Sequence, residues 1–425
     1  MGPFPSLLDP ATIANPYPLY HRLREEDPVH WDDELHMWVL TRYDDIDAAL
    51  RDPHLSANRV ETLRNVASPE ASEAARQTLT ATLSSWMSFL DPPQHTRLRN
   101  LANQAFTPRM VEKLRKHIED IVGELLASAA STGSFDVVRD FAYPLPAIVI
   151  AEMLGVRRED RDLIKRWSDA LALVLGSAAC EPSIVENGAR SVLEFRDYLQ
   201  ELVADRRRKP QEDLITAALR AEDQGSMLSH DELLANCVLL LTAGHETTTN
   251  LIGNGTLALL RHPDQLARLR ADPGLIKTAV EELLRFDSPV QATSRLVTED
   301  FPLRGRILQK GQLAFLLLGA ANRDPARFPD PDSLNLGRAD VHHGAFAFGP
   351  HYCLGAPLAR LEAQIALPRL FAAFADLQLA TVELEWRPNF VLRGLKALPI
   401  AISRRVGQAN QSPHARDGAT PVYPK

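Results

Sequence analysis

The sequence predicts a mainly α protein with small β-sheets, and three observations lead there. Apolar residues recur at three- to four-residue spacing over Thr107 to Ala130 and Arg158 to Leu175, the spacing that lines one face of a helix. Strand-like stretches are short and scattered: Trp38-Val-Leu-Thr-Arg, Ser294 to Thr298, Gln312 to Leu318 and Ala397 to Ile402. Their order shows no regular alternation of strand and helix, so a doubly wound parallel sheet is not expected. Neither an internal repeat nor a Gly/Ser linker divides the chain. Residues 1–406 therefore read as one domain, and the polar segment 407–425 reads as a disordered tail.

Taken in order, Pro18 to Glu26 is a short helix, Trp38 opens a strand and Asp44 to Arg51 is helical again. At Asp91-Pro-Pro-Gln-His-Thr-Arg-Leu-Arg99, Asp91 suits an N-cap and Pro92 a first helical turn. His95 and Arg99 are then four residues apart on one face. The longest helix runs from Ser229 to Arg261: Ser229 and Glu232 form a capping-box pattern, and His262-Pro263 stops it. At 1.5 Å per residue it approaches about 50 Å. Its centre, Thr242-Ala-Gly-His-Glu-Thr-Thr-Thr249, is a poor helix former, the glycine alone costing about 1 kcal/mol against alanine. A weak centre in a strong helix points to function.

Composition narrows the classes. The chain has 425 residues, 45% hydrophobic and 24% charged, which suits a globular core and excludes collagenous, disordered and disulfide-scaffold proteins. A net charge of −8 provides no basic face for nucleic acid. Thirty prolines against 21 glycines mark stiff connections. Cys180, Cys237 and Cys353 are too few and too far apart for a disulfide framework or a zinc ribbon, which suits a reducing cytoplasm. The first residues lack the basic and apolar regions of a signal peptide. The longest uncharged apolar stretches, Phe141 to Ala151 and Leu233 to Gly244, fall short of the about 20 residues a membrane span needs. A cytoplasmic protein without membrane anchor is expected.

Two motif matches fail on context. His245-Glu246 lacks the second histidine of a zinc helix, because Thr249 stands there. Gly253-Asn-Gly-Thr-Leu-Ala258 lies inside the long helix, not between strand and helix, and reads as close helix packing. The strong signal is Phe346-Ala-Phe-Gly-Pro-His-Tyr-Cys-Leu-Gly355, followed by Ala-Pro-Leu-Ala-Arg-Leu-Glu. Pro357 suits a first turn, so Cys353 sits just before a helix N-terminus, where backbone N–H groups favour a thiolate. Gly349 and Gly355 permit unusual backbone angles and close approach of a flat ligand.

That loop resembles the haem-binding loop of the cytochrome P-450 superfamily, with Phe346, Gly349, His351, Cys353 and Gly355 in its pattern and Ala347 where many members have glycine. The resemblance covers nearly the whole chain. It implies the single triangular-prism-like domain of that family, a haem b cofactor and Cys353 as iron ligand. It implies a buried structural triad of Glu282, Arg285 and Arg338. His95, Arg99, Arg295 and His351 match propionate-binding positions, and Ala243, Gly244, Glu246 and Thr247 match the oxygen-activation motif. There Thr247 bonds back to the Ala243 carbonyl, opens the helix locally, and relays protons with Glu246.

The resemblance further implies a monooxygenase that hydroxylates or epoxidises a small apolar substrate: a polyketide, macrolide, fatty acyl group or terpenoid. It implies a monomer that takes electrons from NAD(P)H through a separate ferredoxin and reductase, or a flavodoxin. Two other readings stay open: a haem-thiolate isomerase, dehydratase or coupling enzyme without net oxygen insertion, and a haem-binding sensor. Substrate contacts are expected at Ser56–Phe89, Trp167–Phe195, Leu240 and Ala243, Val290–Thr293 and Leu392–Gly394, with Arg59 and Arg64 as anchors for a polar group. The basic segment Arg109-Met-Val-Glu-Lys-Leu-Arg-Lys116 is the expected docking site for the electron donor.

Overall fold

The computed structural model describes residues 4–60, 70–132, 135–176, 181–223, 229–374 and 376–402. The tail at 407–425, Cys180 and Arg64 lie outside these residues. The helices are α1 Pro10–Ala14, α2 Tyr17–Glu26, α3 Tyr43–Arg51, α4 Glu73–Leu83, α5 Gln94–Ala105, α6 Pro108–Lys113, α7 Arg115–Thr132 and α8 Pro144–Met153. They continue as α9 Arg161–Gly176, α10 Pro182–Arg208, α11 Leu214–Asp223, α12 His230–Arg261, α13 Pro263–Ala271, α14 Ile276–Phe286, α15 Leu318–Ala321 and α16 Ala356–Ala373. The strands are short: β1 Val29–Asp32, β2 Met37–Leu40, β3 Leu55–Ser56, β4 Phe135–Asp136, β5 Thr293–Val297, β6 Phe301–Leu303, β7 Arg306–Leu308, β8 Leu313–Leu316, β9 Leu377–Leu379 and β10 Pro399–Ile402.

Helix α12 is the spine. Ser229 Oγ accepts from the Glu232 N–H at 3.2 Å while the Glu232 carboxylate accepts from the Ser229 N–H at 2.9 Å, closing the expected capping box. Helices α8, α10, α14 and α16 pack around it, and most of its residues are buried. Small residues allow the approach: a Cβ on Gly255 would come within 3.2 Å of Leu283 on α14. The sheet that matters for the site has the order β1-β2-β8-β5-β3, with β2 and β8 parallel and the other pairs antiparallel. It sets Arg295 opposite Ala314. No helix among the described residues is long and apolar enough to cross a membrane.

Several element boundaries differ from the sequence reading, three of them for a clear local reason. The helix expected from Thr107 to Ala130 is two helices. The Leu114 N–H bonds to the Val111 carbonyl, three residues back, which tightens the turn and ends α6. The periodicity runs through the break because Val111 and Ile118 are both buried. At Arg158 a 3₁₀ turn precedes α9. The strand expected to reach Leu318 ends at Leu316; the Leu317 N–H still bonds to the Leu40 carbonyl, and the chain then turns into α15.

Candidate active site

A cavity of about 800 Å³ lies between α12, the cysteine loop, α5 and the five-stranded sheet. That is the upper part of the range for small-molecule and cofactor pockets. The loop is built by backbone constraints. Gly349 has φ +69°, and a Cβ there would meet the Leu50 carbonyl oxygen at 2.7 Å, so only glycine fits. Ala347 is also left-handed, at φ +58°, a strain of about 1–2 kcal/mol for a residue with a Cβ. Gly355 differs from expectation: its φ is −80°, and what its missing side chain leaves is space beside the Cys353 sulfur, the nearest atom at 4.0 Å. The Cys353 N–H donates to the Phe346 carbonyl at 3.0 Å, which folds the loop back on itself. The Phe346 ring carries the Arg360 guanidinium 4.5 Å above it.

Cys353 is exposed, and it lines the cavity, surrounded by protein. Burial pushes its pKa up, while the N–H groups of Gly355 and Ala356 and the Arg99 charge pull it down. The helix-terminus effect expected from the sequence is present but loses to burial in the free thiol. A bound metal cation removes such a proton outright.

Ala243, Gly244, Glu246 and Thr247 of α12 line the same cavity. The Thr247 hydroxyl donates to the Ala243 carbonyl at 3.1 Å. Contrary to the expected local opening, α12 runs unbroken from His230 to Arg261; the hydroxyl adds a second donor to that carbonyl without parting the turn. Gly244 also serves packing, since a Cβ there would stand 2.9 Å from Ile150 of α8. Glu246 is nearly buried, with Oε1 3.3 Å from Arg387 Nη1. Burial raises its pKa and Arg387 opposes that rise. His245 points elsewhere: its Nδ1–H donates to the Leu241 carbonyl at 2.8 Å and its ring meets Tyr143 edge-on.

The opposite rim is cationic. His95 and His351 stack with ring centroids 4.0 Å apart. Burial, then His95 and the neighbouring arginines, push His351 down to about 3, and burial followed by Arg99 lowers His95. Arg295 donates to the Ser294 carbonyl at 2.9 Å, and Arg99 to the Asn103 side chain at 3.1 Å. Neither has a carboxylate within ion-pair distance among the described residues. Asp91 is not the helix cap expected; α5 begins at Gln94 after Pro93, and the Asp91 carboxylate instead accepts from the Ser56 hydroxyl and, at 2.9 Å, from the Ala57 N–H. A thiol facing an apolar slot, with unpaired guanidinium groups at its edge, fits a flat metallocycle that brings its own carboxylates.

Farther away, Arg285 grips Glu282 through two bonds of 2.7 and 2.9 Å, and Arg338 Nε donates to the same carboxylate at 3.1 and 3.2 Å. Arg285 and Glu282 have no exposure to solvent. This is the expected triad, and it pins the stretch before the cysteine loop: Arg285 also donates to the carbonyls of Asn322 and Pro331.

The substrate half of the cavity draws residues from every stretch the sequence pointed to. Leu240, Val290, Ala292, Thr293 and Leu392 line it, but Trp167 and Phe195 do not. Those two rings stack 5.1 Å apart in the core, and the expected stretch between them meets the cavity through Val174 and Leu175 of α9 and Val185 of α10. Sequence reasoning also missed Arg387, which has no local motif. The only signal was a buried acid in need of a counter-charge.

The family model described as Cytochrome P450 matches residues 49–273 and 274–389. The chain is 41% identical over 400 residues to the polyketide biosynthesis cytochrome P450 PksS of Bacillus subtilis (strain 168), covering 92% of this chain and 96% of that one. It is 43% identical over 398 residues to the cytochrome P450 monooxygenase PikC of Streptomyces venezuelae, covering 91% of each. Its fold matches the crystal structure of P450BioI in complex with hexadec-9Z-enoic acid ligated acyl carrier protein, with a TM-score of 0.86, 38% identity and coverage of 93% of this chain and 99% of that one. Fold, cysteine loop and whole-length similarity agree: the chain belongs to the cytochrome P450 family of haem-thiolate monooxygenases.

Proposed function

We propose that this monooxygenase holds haem iron through Cys353 and manages protons through Thr247 and Glu246. The observation that carries the reading is that Cys353 and the Ala243–Thr247 turn line one cavity. When bound, the haem uses dioxygen, two electrons and two protons to put one oxygen atom into the substrate and release the other as water. His95, Arg99, Arg295 and His351 hold the propionates. Phe346, Gly349 and Gly355 shape the loop around the sulfur, and the small Ala243 and Gly244 on the α12 wall of the cavity would leave room for the cofactor.

Thr247 donates its own hydroxyl proton to the Ala243 carbonyl. Its oxygen lone pairs are therefore left to accept from a water in the cavity. Glu246, with its raised pKa, takes up a proton near neutral pH more readily than an ordinary carboxylate and passes it inward. Arg387, about a quarter exposed, sits on its outer side. The part-buried pair Lys165–Asp169, 2.6 Å apart, also contributes to the field at Glu246. The route for protons thus runs from solvent past this charged cluster.

The substrate is a small apolar molecule, hydroxylated or epoxidised. The apolar lining from Leu79, Leu83, Leu239, Leu240, Val290 and Leu392 supports this, as do relatives named for polyketide biosynthesis. Electrons come from NAD(P)H through a ferredoxin or flavodoxin and its reductase. Arg109 and Lys113 support a docking site on the cysteine side: both are exposed, have no ion-pair partner among the described residues, and lie on α6, which packs against α16. Arg115 and Lys116 are tied to Glu112 and Asp120. Turnover with NADPH and a surrogate ferredoxin, followed by product mass, tests the reading. A product heavier by one oxygen atom supports it; substrate isomerised, dehydrated or coupled without added oxygen contradicts it.

A further inference from the structure

Arg59 is a charge without a counter-charge. Its Nη1 donates to the Ala57 carbonyl at 2.7 Å and its guanidinium stacks 4.4 Å over the Phe89 ring, so the side chain is held in place from two sides. Its Nε is buried and has no hydrogen-bond partner. No carboxylate stands within ion-pair distance of it among the described residues. The one acid whose field favours its charge is Asp91, and that carboxylate is engaged by Ser56 and the Ala57 N–H. Burial, then the neighbouring Arg295, pull the Arg59 pKa down to about 9. A part-buried guanidinium with an unpartnered Nε, set near another guanidinium, favours the entry of something anionic.

The place of Arg59 says what enters. It lines the same cavity as Arg295, Arg99, His95 and His351, and the β3–β5 pairing that sets Ser56 opposite Leu296 brings its segment alongside Arg295. It therefore belongs to the cofactor edge of the cavity. We propose that Arg59 is a further contact of the haem propionates, placed by the segment after β3 and steadied by Phe89, rather than an anchor for the substrate. This rests on the haem-thiolate reading above and adds a residue that the loop and helix motifs do not contain.

The test is haem retention in the holoenzyme. Wild type, Arg59→Gln and Arg59→Lys are mixed with excess apomyoglobin, and haem transfer is followed by absorbance. Each protein is also reconstituted with haem dimethyl ester, whose propionates carry no charge. With native haem, Arg59→Gln should release its cofactor about tenfold faster, the size of one charge-assisted hydrogen bond. Arg59→Lys, which keeps the charge without the planar fork, should fall between the two. With the diester, wild type and Arg59→Gln should release at the same rate. Equal rates with native haem would overturn the proposal, as would an Arg59→Gln effect that persists with the diester, since that marks a purely structural role. If Arg59→Gln retained haem but lost affinity for hexadecanoic acid in a spectral titration, the anion would belong to the substrate and the proposal would be wrong. The reduced carbonyl spectrum, recorded on each variant, separates these outcomes from failure of the haem-thiolate reading, which would change that spectrum in wild type too.

Discussion

The Glu246 carboxylate lies 3.3 Å from Nη1 of Arg387, 141 residues further along the chain. Arg387 is held by its own backbone, its N–H bonding to the Gly394 carbonyl, and Gly394 packs directly against Asn250 of the long helix. The buried acid at the centre of α12 is thus electrostatically tied to a loop near the end of the described chain. Burial drives the Glu246 pKa up, and Arg387 is the largest influence working against it.

Removing Arg387 takes away the largest influence that opposes burial. In Arg387→Gln, Glu246 should ionise at higher pH than in wild type. The pH profile of product formation reads this: an inflection that vanishes in Glu246→Gln should move upward in Arg387→Gln. An inflection that stays in place would detach Arg387 from the acid.

Thr247→Ala removes the hydroxyl that donates to Ala243 and presents its lone pairs to the cavity. Haem and substrate binding should persist, while NADPH consumption is diverted to hydrogen peroxide. Product formed per NADPH should fall by about tenfold or more, in the range that a positioned proton donor contributes. An unchanged ratio would remove Thr247 from the mechanism.

The cysteine loop and the long helix with its capping box were legible because each is local, whereas the triad, whose Arg338 is 56 residues from Glu282, was legible only through the family resemblance. Gly349, Cys353 and Pro357 are tied to backbone geometry within a few residues, and Ser229 with Glu232 needs only one helical turn. What was not legible depends on tertiary packing. Within the expected stretch Trp167–Phe195 the sequence does not say which side chains face inward: the two end rings find each other in the core, and the smaller Val174, Leu175 and Val185 face the cavity. Asp91 has the right offset for a cap, but the Ser56 hydroxyl and Ala57 N–H compete for it from β3 and the segment after it. The unbroken helix at Thr247 could not be told from an opened one, since both place the same hydroxyl on the same carbonyl.

Glu362 on α16 is buried, and its Oε2 has no hydrogen-bond partner. Burial raises its pKa well above the ordinary carboxylate value of about 4.3. Above that unfolded value the folded state keeps a proton that the unfolded state has released, so stability falls as pH rises toward the folded pKa. Glu362→Gln abolishes this linkage. Its Tm should match wild type near pH 4 and exceed it by on the order of 2 °C at pH 8. A difference independent of pH would mean the carboxyl is not protonated in the folded state.

Arg109 and Lys113 together offer the basic surface on the cysteine side. Reversing both to Glu should raise the apparent Michaelis constant for ferredoxin without changing substrate affinity. The effect should shrink at high salt, since the Debye length falls from about 10 Å at 0.1 M to about 3 Å at 1 M. Wild-type ferredoxin kinetics in the double variant at low salt would move the docking site elsewhere.

The central claim is that Cys353 is the iron ligand, and the absorption spectrum of the reduced carbonyl complex tests it most directly. Wild type should show the red-shifted Soret band that marks thiolate ligation. Cys353→His should bind haem without that band, while Cys237→Ala, whose thiol is buried outside the cavity, should keep it. A red-shifted band that survives in Cys353→His, or is lost in Cys237→Ala, would contradict the account.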